Sequence, residues 1–286
     1  MTDQTATTVA PVTQTGNSLS LGVLAMETVI PHERTDPARV APLRRALQRD
    51  GILKNPPIVM AWRDRYVVLD GATRVKAFRE LGFRYIVAQI VSPNDERVRL
   101  DTWNHVPQQI GTEALFQLVQ TLPDIQTVAT DLADLETTML ALDGLCQLVL
   151  PDKRSYVIQA RPGVDRLDAL NELVSTYIHQ ALIGRTTNHD FDLVKQEFPH
   201  LSGLFVFPKF TVEQVLQLSQ NGNVVPAGIT RFIIPGRVLR LNLDLQCLQR
   251  DELHTQKSAW LDDMVETLIA NRQVRYYQEP VYLLDE

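Results

Sequence analysis

The sequence predicts an α+β protein, and three observations carry that prediction. The run Tyr66–Phe78 passes from β-branched residues through Asp70-Gly71 into positions where Val75, Phe78 and Leu81 recur at spacings near three to four. A strand, a tight turn and a helix start therefore follow one another directly. Short alternating or β-branched runs and longer amphipathic runs are interspersed along the rest of the chain, with no internal repeat. The composition is globular: 286 residues, 44% apolar and 22% charged, enough for one large or two medium domains.

The elements follow in order. Residues 1–18 are rich in Thr, Gln and Ala, lack Lys and Arg, and contain no apolar run of signal-peptide length, so they read as a disordered tail. Leu19–Met26 reads as a strand. A proline-punctuated loop, Val29–Pro37, carries the pair His32-Glu33. Asp36 is placed to cap a helix with Pro37 in its first turn and Val40, Leu43, Leu47 and Ile52 on its buried side. Gly51 stops that helix, Pro56-Pro57 forbid its continuation, and a strand to Trp62 follows. Arg63-Asp64-Arg65 is a polar turn into the strand Tyr66–Leu69. After the Asp-Gly turn the helix runs to Leu81, Gly82 stops it, and Tyr85–Val91 is a further strand.

The second half continues as α+β. Ala141–Leu150 and Ser155–Ala160 read as a hairpin across Pro151–Arg154, Leu167–Ile183 as an amphipathic helix, and Leu204–Phe207 as a strand. Val212–Leu218 is helical, Phe232–Leu245 is strand-rich around Pro235-Gly236, and Ala259–Ala270 is a helix with Leu261, Met264, Val265 and Leu268 inward. His189-Asp190 has no third ligand at metal spacing and reads as a helix-cap region.

Charge and cysteine usage narrow the function classes. A formal net charge of −6 makes the chain as a whole a poor binder of polyanions, since nucleic-acid affinity rests on Lys and Arg neutralising phosphates. Arg39, Arg44, Arg45, Arg49 and Lys54 cluster, but their spacing is that of the wet face of an amphipathic helix. Cys146 and Cys247 lie in apolar contexts without a CxxC pattern, which fits buried thiols in a cytoplasmic protein. No stretch reaches the length of a membrane span.

The turn at Asp70–Arg74 is where chemistry is expected. It puts a carboxylate, a glycine, a hydroxyl and a guanidinium at a helix N-terminus, whose unpaired N–H groups and dipole favour an anion. It reads either as a phosphate cradle with Asp70 at its rim or as an ordinary Asp-Gly turn. Glu33, on a loop just ahead of a helix, could be a general base or a solvated acid.

Taken in order, His32-Glu33, Asn55-Pro56-Pro57 and Asp70-Gly71-Ala72-Thr73-Arg74 resemble the ParB/sulfiredoxin fold, and within it the free L-serine kinases known from siderophore-precursor and cysteine biosynthesis. Leu100–His105 resembles the Trp- and His-bearing segment that follows this domain in those kinases. Pro226–Arg231 is similar to their Gly-x-Thr-Arg turn, and Arg275–Glu286 to their C-terminal strand. The chain departs from the pattern at Ala72-Thr73, where some members carry His or Asn. The resemblance implies a small ParB/sulfiredoxin-like nucleotide-binding domain over residues 19–105, packed on a mixed α+β C-terminal domain, 106–286, that completes the substrate pocket.

The resemblance also implies an activity: transfer of a phosphoryl group from ATP or ADP to the hydroxyl of L-serine, giving O-phospho-L-serine. Glu33 would be the base, with His32 shaping its loop. Gly71, Ala72, Thr73 and Arg74 would bind the nucleotide phosphates, and Asp70 would hold Mg²⁺ or the substrate amine. Trp103 and His105 would line the serine pocket, where Trp103 reads equally as core and His105 as a satisfied hydrogen-bonding residue. Thr230 and Arg231 would receive the amino-acid carboxylate, a role suited to arginine's fork geometry. The alternative is a ParB-like nucleotide-dependent DNA-binding regulator. The acidic charge and the lack of a recognisable helix-turn-helix speak against it. The expected partners are thus a small-molecule substrate and a nucleotide, without nucleic acid or membrane.

Overall fold

The computed structural model describes residues 18–131, 139, 141–250 and 253–277. The expected N-terminal tail, apart from Ser18, and residues 278–286 of the expected C-terminal strand lie outside the described residues. Arg275–Tyr277 are not in a strand. The fold is mixed α+β, as predicted, and the chain divides into two compact units that interleave in sequence. One comprises the chain up to Pro31, Thr35–Arg97 and the chain from Ile234 onward; the other comprises His32–Arg34 and Val98–Ile233.

The first unit opens with β1 (Leu21–Ala25) and β2 (Val29–Pro31). Helix α1 (Pro37–Asp50) starts where predicted, with the Asp36 carboxylate accepting from the Ala38 N–H, and ends at Gly51, whose φ of +65° is the left-handed conformation of a C-cap. Val40 and Leu47 are buried as expected, but Ile52 lies beyond the helix in the two-residue strand β3 (Ile52–Leu53) and is exposed, while Leu53 faces the core. Strands β4 (Ile58–Trp62) and β5 (Arg65–Asp70) form a hairpin across Arg63-Asp64. Helix α2 (Ala72–Glu80) buries Ala72, Val75, Ala77 and Phe78, and β6 (Tyr85–Val91) completes a five-stranded sheet ordered β1-β6-β4-β5-β2. In that sheet β2–β5 and β4–β6 are parallel and the other two pairs antiparallel.

The second unit contains β7 (Arg99–Thr102), β8 (Asn104–Gln108), α3 (Thr112–Gln120), β9 (Ile125–Thr130), β10 (Cys146–Val149), β11 (Ser155–Ala160) and α4 (Arg166–Ile178). These are followed by β12 (Leu182–Thr186), α5 (Phe191–Glu197), β13 (Leu204–Val206), α6 (Val212–Gln220) and β14 (Thr230–Ile233). The predicted hairpin is β10–β11, and it lies inside an antiparallel six-stranded sheet ordered β12-β8-β13-β10-β11-β9. The helix expected over Leu167–Ile183 stops at Ile178. Leu182 and Ile183 instead begin β12, paired to Gln108 and Pro107, because tertiary strand pairing overrides a locally helical apolar pattern. Asp190 caps α5 by accepting from the Asp192 and Leu193 N–H groups, as the cap reading required.

After β14 the chain rejoins the first unit. The expected strand-rich run Phe232–Leu245 yields only the end of β14 and the two-residue β15 (Leu243–Asp244), which pairs with β3. Helices α7 (Gln246–Gln249) and α8 (His254–Ala270) finish the described chain. Leu261 and Val265 of α8 pack into the same core as α1, α2 and β1, with Met264 half-buried beside them. Both cysteines are buried thiols. No helix among the described residues is long and apolar enough to cross a membrane.

Candidate functional site

In the first unit two of the three N-terminal motifs of the sequence reading, Asn55-Pro56-Pro57 and Asp70–Arg74, converge through one side chain. Strand β5 delivers Asp70 to the edge of the turn, and Gly71 takes φ +89°, ψ 27°, a conformation that costs glycine little, before α2 begins. Arg74, one turn into α2, folds back across this glycine. Its Nη1 donates to the carbonyls of Asn55 and Pro56 at 2.7 and 2.8 Å, and its Nη2 to Asp70 Oδ2 at 3.0 Å. The Asn-Pro-Pro segment and the Asp-Gly turn are thereby tied together. A Cβ on Gly71 would stand 2.8 Å from Arg74 Nε, so the missing side chain is also what lets the guanidinium pass. Burial lowers the Arg74 pKa from its ordinary value; the Asp70 carboxylate opposes that shift, and a nearby Arg237 adds to it.

Arg74 was expected among the phosphate ligands, yet its donors are aimed at the protein's own oxygens. What the turn presents outward is the start of α2: Gly71 provides no side-chain cap, and the first N–H groups of a helix have no partner within it. Thr73 is half-buried there, and Ala72 points into the core. Asp70 Oδ2 also accepts from Arg237 Nη1 at 3.0 Å. One carboxylate between two guanidiniums gives the cluster a net positive charge, which suits an anion and does not suit a divalent cation. The expected Mg²⁺ at Asp70 therefore does not fit this arrangement. Among the described residues no group of three His, Cys, Asp or Glu could hold a metal ion.

In the second unit the remaining candidates gather on the turn Pro226–Arg231 and its strand. His32–Arg34 is held as a strand-like segment: the Val225 N–H donates to the His32 carbonyl at 2.9 Å and the Arg34 N–H to the Val225 carbonyl at 2.9 Å. Glu33 Oε2 then accepts from the Gly228 N–H at 2.9 Å, which fixes the carboxylate by one oxygen. His32 is buried, its Nε2 pairing with Thr230 Oγ1 at 2.8 Å and its ring meeting Phe232 edge-on at 5.2 Å. Thr230 is thus engaged with the histidine beside Glu33.

His105 departs from its expected position lining a pocket. It has no exposed surface, its Nδ1 pairs with Tyr177 Oη at 2.9 Å and its Nε2 with the Gly228 carbonyl at 3.1 Å. Because a carbonyl only accepts, Nε2 carries the proton and Nδ1 accepts from Tyr177. Burial pulls the His105 pKa down to about 4, with the Gly228 hydrogen bond opposing and the Arg185 charge assisting, so the ring is neutral near pH 7. Gly228 links the two side chains: its carbonyl accepts from His105 and its N–H donates to Glu33.

Arg231 stands opposite Asp101 in the β14–β7 ladder and donates Nη1 to Asp101 Oδ2 at 3.3 Å. Its guanidinium lies over the Trp103 ring, 4.8 Å from the centroid, and the Trp103 N–H donates to the Ile229 carbonyl. Trp103 is half-buried and serves as a platform for the arginine rather than as core. A cavity of about 890 Å³ in this unit is lined by Asp101, the partner of Arg231, and by Asn104, Gln147, Lys153 and Arg166 among others; its lining includes none of His32, Glu33, Trp103, His105, Thr230 or Arg231. The sequence reading missed Arg237, Gly228's double role and Tyr177. Of these only Gly228 carried a local signal, as the glycine of the Gly-x-Thr-Arg turn.

No family model matches the chain. The chain is similar to the ATP-dependent L-serine kinase SbnI of Staphylococcus aureus, at 25% identity over 268 residues, covering 93% of this chain and 97% of the relative. It is also similar to an ATP-dependent L-serine kinase of Staphylothermus marinus, at 34% identity over 92 residues, 32% of this chain and 36% of the relative. Among solved structures, a free serine kinase in complex with AMP shares the fold, with a TM-score of 0.69 at 15% identity over 80% of this chain and 93% of that one.

Proposed function

We propose that this protein is an ATP-dependent kinase of free L-serine, a phosphotransferase that yields O-phospho-L-serine. The observation that carries this reading is that Glu33 is held by the Gly228 N–H of the turn that leads into Thr230 and Arg231, in a chain similar over 93% of its length to an L-serine kinase. The fold shared with an AMP-bound free serine kinase supports the nucleotide side of the reading.

Phosphoryl transfer asks a protein to hold the phosphates, neutralise developing charge and align a deprotonated nucleophile. In our reading the first N–H groups of α2, with Gly71, Ala72 and Thr73, hold nucleotide phosphates. Arg74 acts as the brace that keeps this turn in shape, and Asp70 holds guanidiniums. Glu33, oriented through Oε2 by the Gly228 N–H, takes the serine hydroxyl proton on its other oxygen. The serine Oγ forms the new P–O bond as the bond to the nucleotide's bridging oxygen breaks, and the shortened nucleotide leaves with that electron pair.

Arg231 receives the serine carboxylate on its planar fork, exchanging its long contact with Asp101 for a bidentate pair over Trp103. His32 and Thr230 hold the Glu33 segment in place. Mg²⁺ belongs here with the nucleotide phosphates, whose charge it would neutralise, rather than with Asp70. The relatives' names favour ATP as donor, and ADP remains the alternative to exclude.

Phosphorus NMR of the purified protein with Mg²⁺, L-serine and either ATP or ADP tests this directly. Growth of an O-phosphoserine resonance matched to donor loss is expected. Nucleotide loss that yields only inorganic phosphate would replace the kinase reading with that of a nucleotide hydrolase.

A further inference from the structure

The nucleotide cradle as read from the sequence ends at Arg74, but Arg74 is committed to Asn55, Pro56 and Asp70. A second guanidinium stands at the same carboxylate. Arg237 donates Nη1 to Asp70 Oδ2, its side chain is 36% exposed against 21% for Arg74, and it comes from a segment 167 residues downstream. Its backbone is held on both flanks by one buried side chain: Gln89 Nε2 donates to the Gly236 carbonyl at 2.8 Å, and Gln89 Oε1 accepts from the Val238 N–H at 2.9 Å. Gln89 is 5% exposed and lies on β6, between β1 and β4. A buried amide that satisfies both its donor and its acceptor on the two peptides around a single exposed arginine is a positioning device for that arginine.

From this geometry we infer that Arg237 is a ligand of the nucleotide's polyphosphate, with Gln89 as its positioning residue. The inference rests on the proposed nucleotide-dependent activity. The N–H groups at the start of α2 take one phosphate, and Arg237, at the Asp70 lip of the same turn, takes the next. Asp70 holds the guanidinium in readiness and gives up its bond as the phosphate arrives. Charge favours this exchange, since Asp70 keeps Arg74 as its partner after Arg237 turns to the anion. The recognised chemistry is therefore a nucleoside di- or triphosphate rather than a monophosphate.

Calorimetric titration of full-length wild type, Arg237→Gln, Arg237→Lys and Gln89→Met with AMP, ADP and ATP tests the assignment, with phosphoserine formation measured on the same samples. Arg237→Gln is expected to weaken ADP and ATP binding about tenfold or more while AMP binding changes by less than about twofold. Arg237→Lys should recover part of the loss, and Gln89→Met should show the same selectivity at smaller amplitude. Equal weakening of all three nucleotides, or of none, overturns the role of Arg237. Wild-type protein that binds ADP but forms no phosphoserine overturns the kinase reading and leaves the Arg237 pattern to be judged on binding. Wild type that binds none of the three overturns both.

Discussion

Replacing Arg74 with lysine separates a brace from a ligand. The arginine donates to two main-chain carbonyls and one carboxylate, at 2.7, 2.8 and 3.0 Å, with its side chain 21% exposed. A lysine ammonium keeps the charge but has one nitrogen on a flexible stem, so it can reach Asp70 or the Asn55–Pro56 carbonyls, not both. The ammonium favours the Asp70 carboxylate, so both carbonyl bonds are lost; hydrogen bonds from a charged donor contribute roughly 1.5–3 kcal/mol each, so the two amount to roughly 3–6 kcal/mol. Partial rehydration of the carbonyls, through the fifth of this side chain that is exposed, argues for the lower end, about 3 kcal/mol. At about 2–4 °C per kcal/mol for a protein of this size class, the melting temperature of the nucleotide-free protein should fall by roughly 6–12 °C. Differential scanning fluorimetry without nucleotide reads this directly. A melting temperature within about 2 °C of wild type, together with weakened ADP affinity, would refute the brace and restore Arg74 as a phosphate ligand.

Other outcomes follow from the same geometry. Glu33→Gln keeps an oxygen able to accept from the Gly228 N–H, so nucleotide affinity should stay intact while kcat falls by about 10²-fold or more; lost nucleotide affinity would argue for a structural role instead. Arg231→Ala should raise KM for serine far more than for nucleotide, and the reverse pattern in steady-state kinetics would remove the carboxylate assignment. His105 makes stability pH-dependent with a definite sign: below its ordinary value of 6.5 the unfolded chain binds a proton that the folded chain refuses until about pH 4, so stability falls as the pH drops through that window. The linkage is worth about 3 kcal/mol, from a shift of about 2.5 at 1.36 kcal/mol per unit. A His105→Gln protein whose urea midpoint still falls as steeply over that range would assign the effect to other groups.

The N-terminal elements were legible because their signals are local. Asp36-Pro37 and Gly51 bracket α1, Pro56-Pro57 blocks helix ahead of β4, and the β-branched run ending at Asp70-Gly71 switches period at a residue with φ +89°. Leu167–Ile183 misled for an equally physical reason. Its apolar pattern continues past the end of α4, and only pairing with β8, remote in sequence, draws Leu182 and Ile183 into a strand. Ile52 was misassigned because one apolar residue past a C-cap glycine can face either side.

By itself the sequence determined the α+β class, the strand-turn-helix at Asp70–Arg74, and the residue types able to perform phosphoryl transfer: an acid on a loop, a glycine turn at a helix start, an arginine after a threonine. What each of them touches was decided by tertiary structure. Glu33 meets Gly228 across 195 residues, His32 meets Thr230 across 198, and Asp70 meets Arg237 across 167. Burial leaves His105 neutral and bonded to the Gly228 carbonyl where a pocket wall was expected, and three protein oxygens engage the Arg74 donors that were expected on phosphates. The reason is the range of the forces involved. Turn conformations and helix caps are set by a few adjacent dihedrals, whereas a hydrogen-bond partner and a desolvated environment exist only once distant segments have packed.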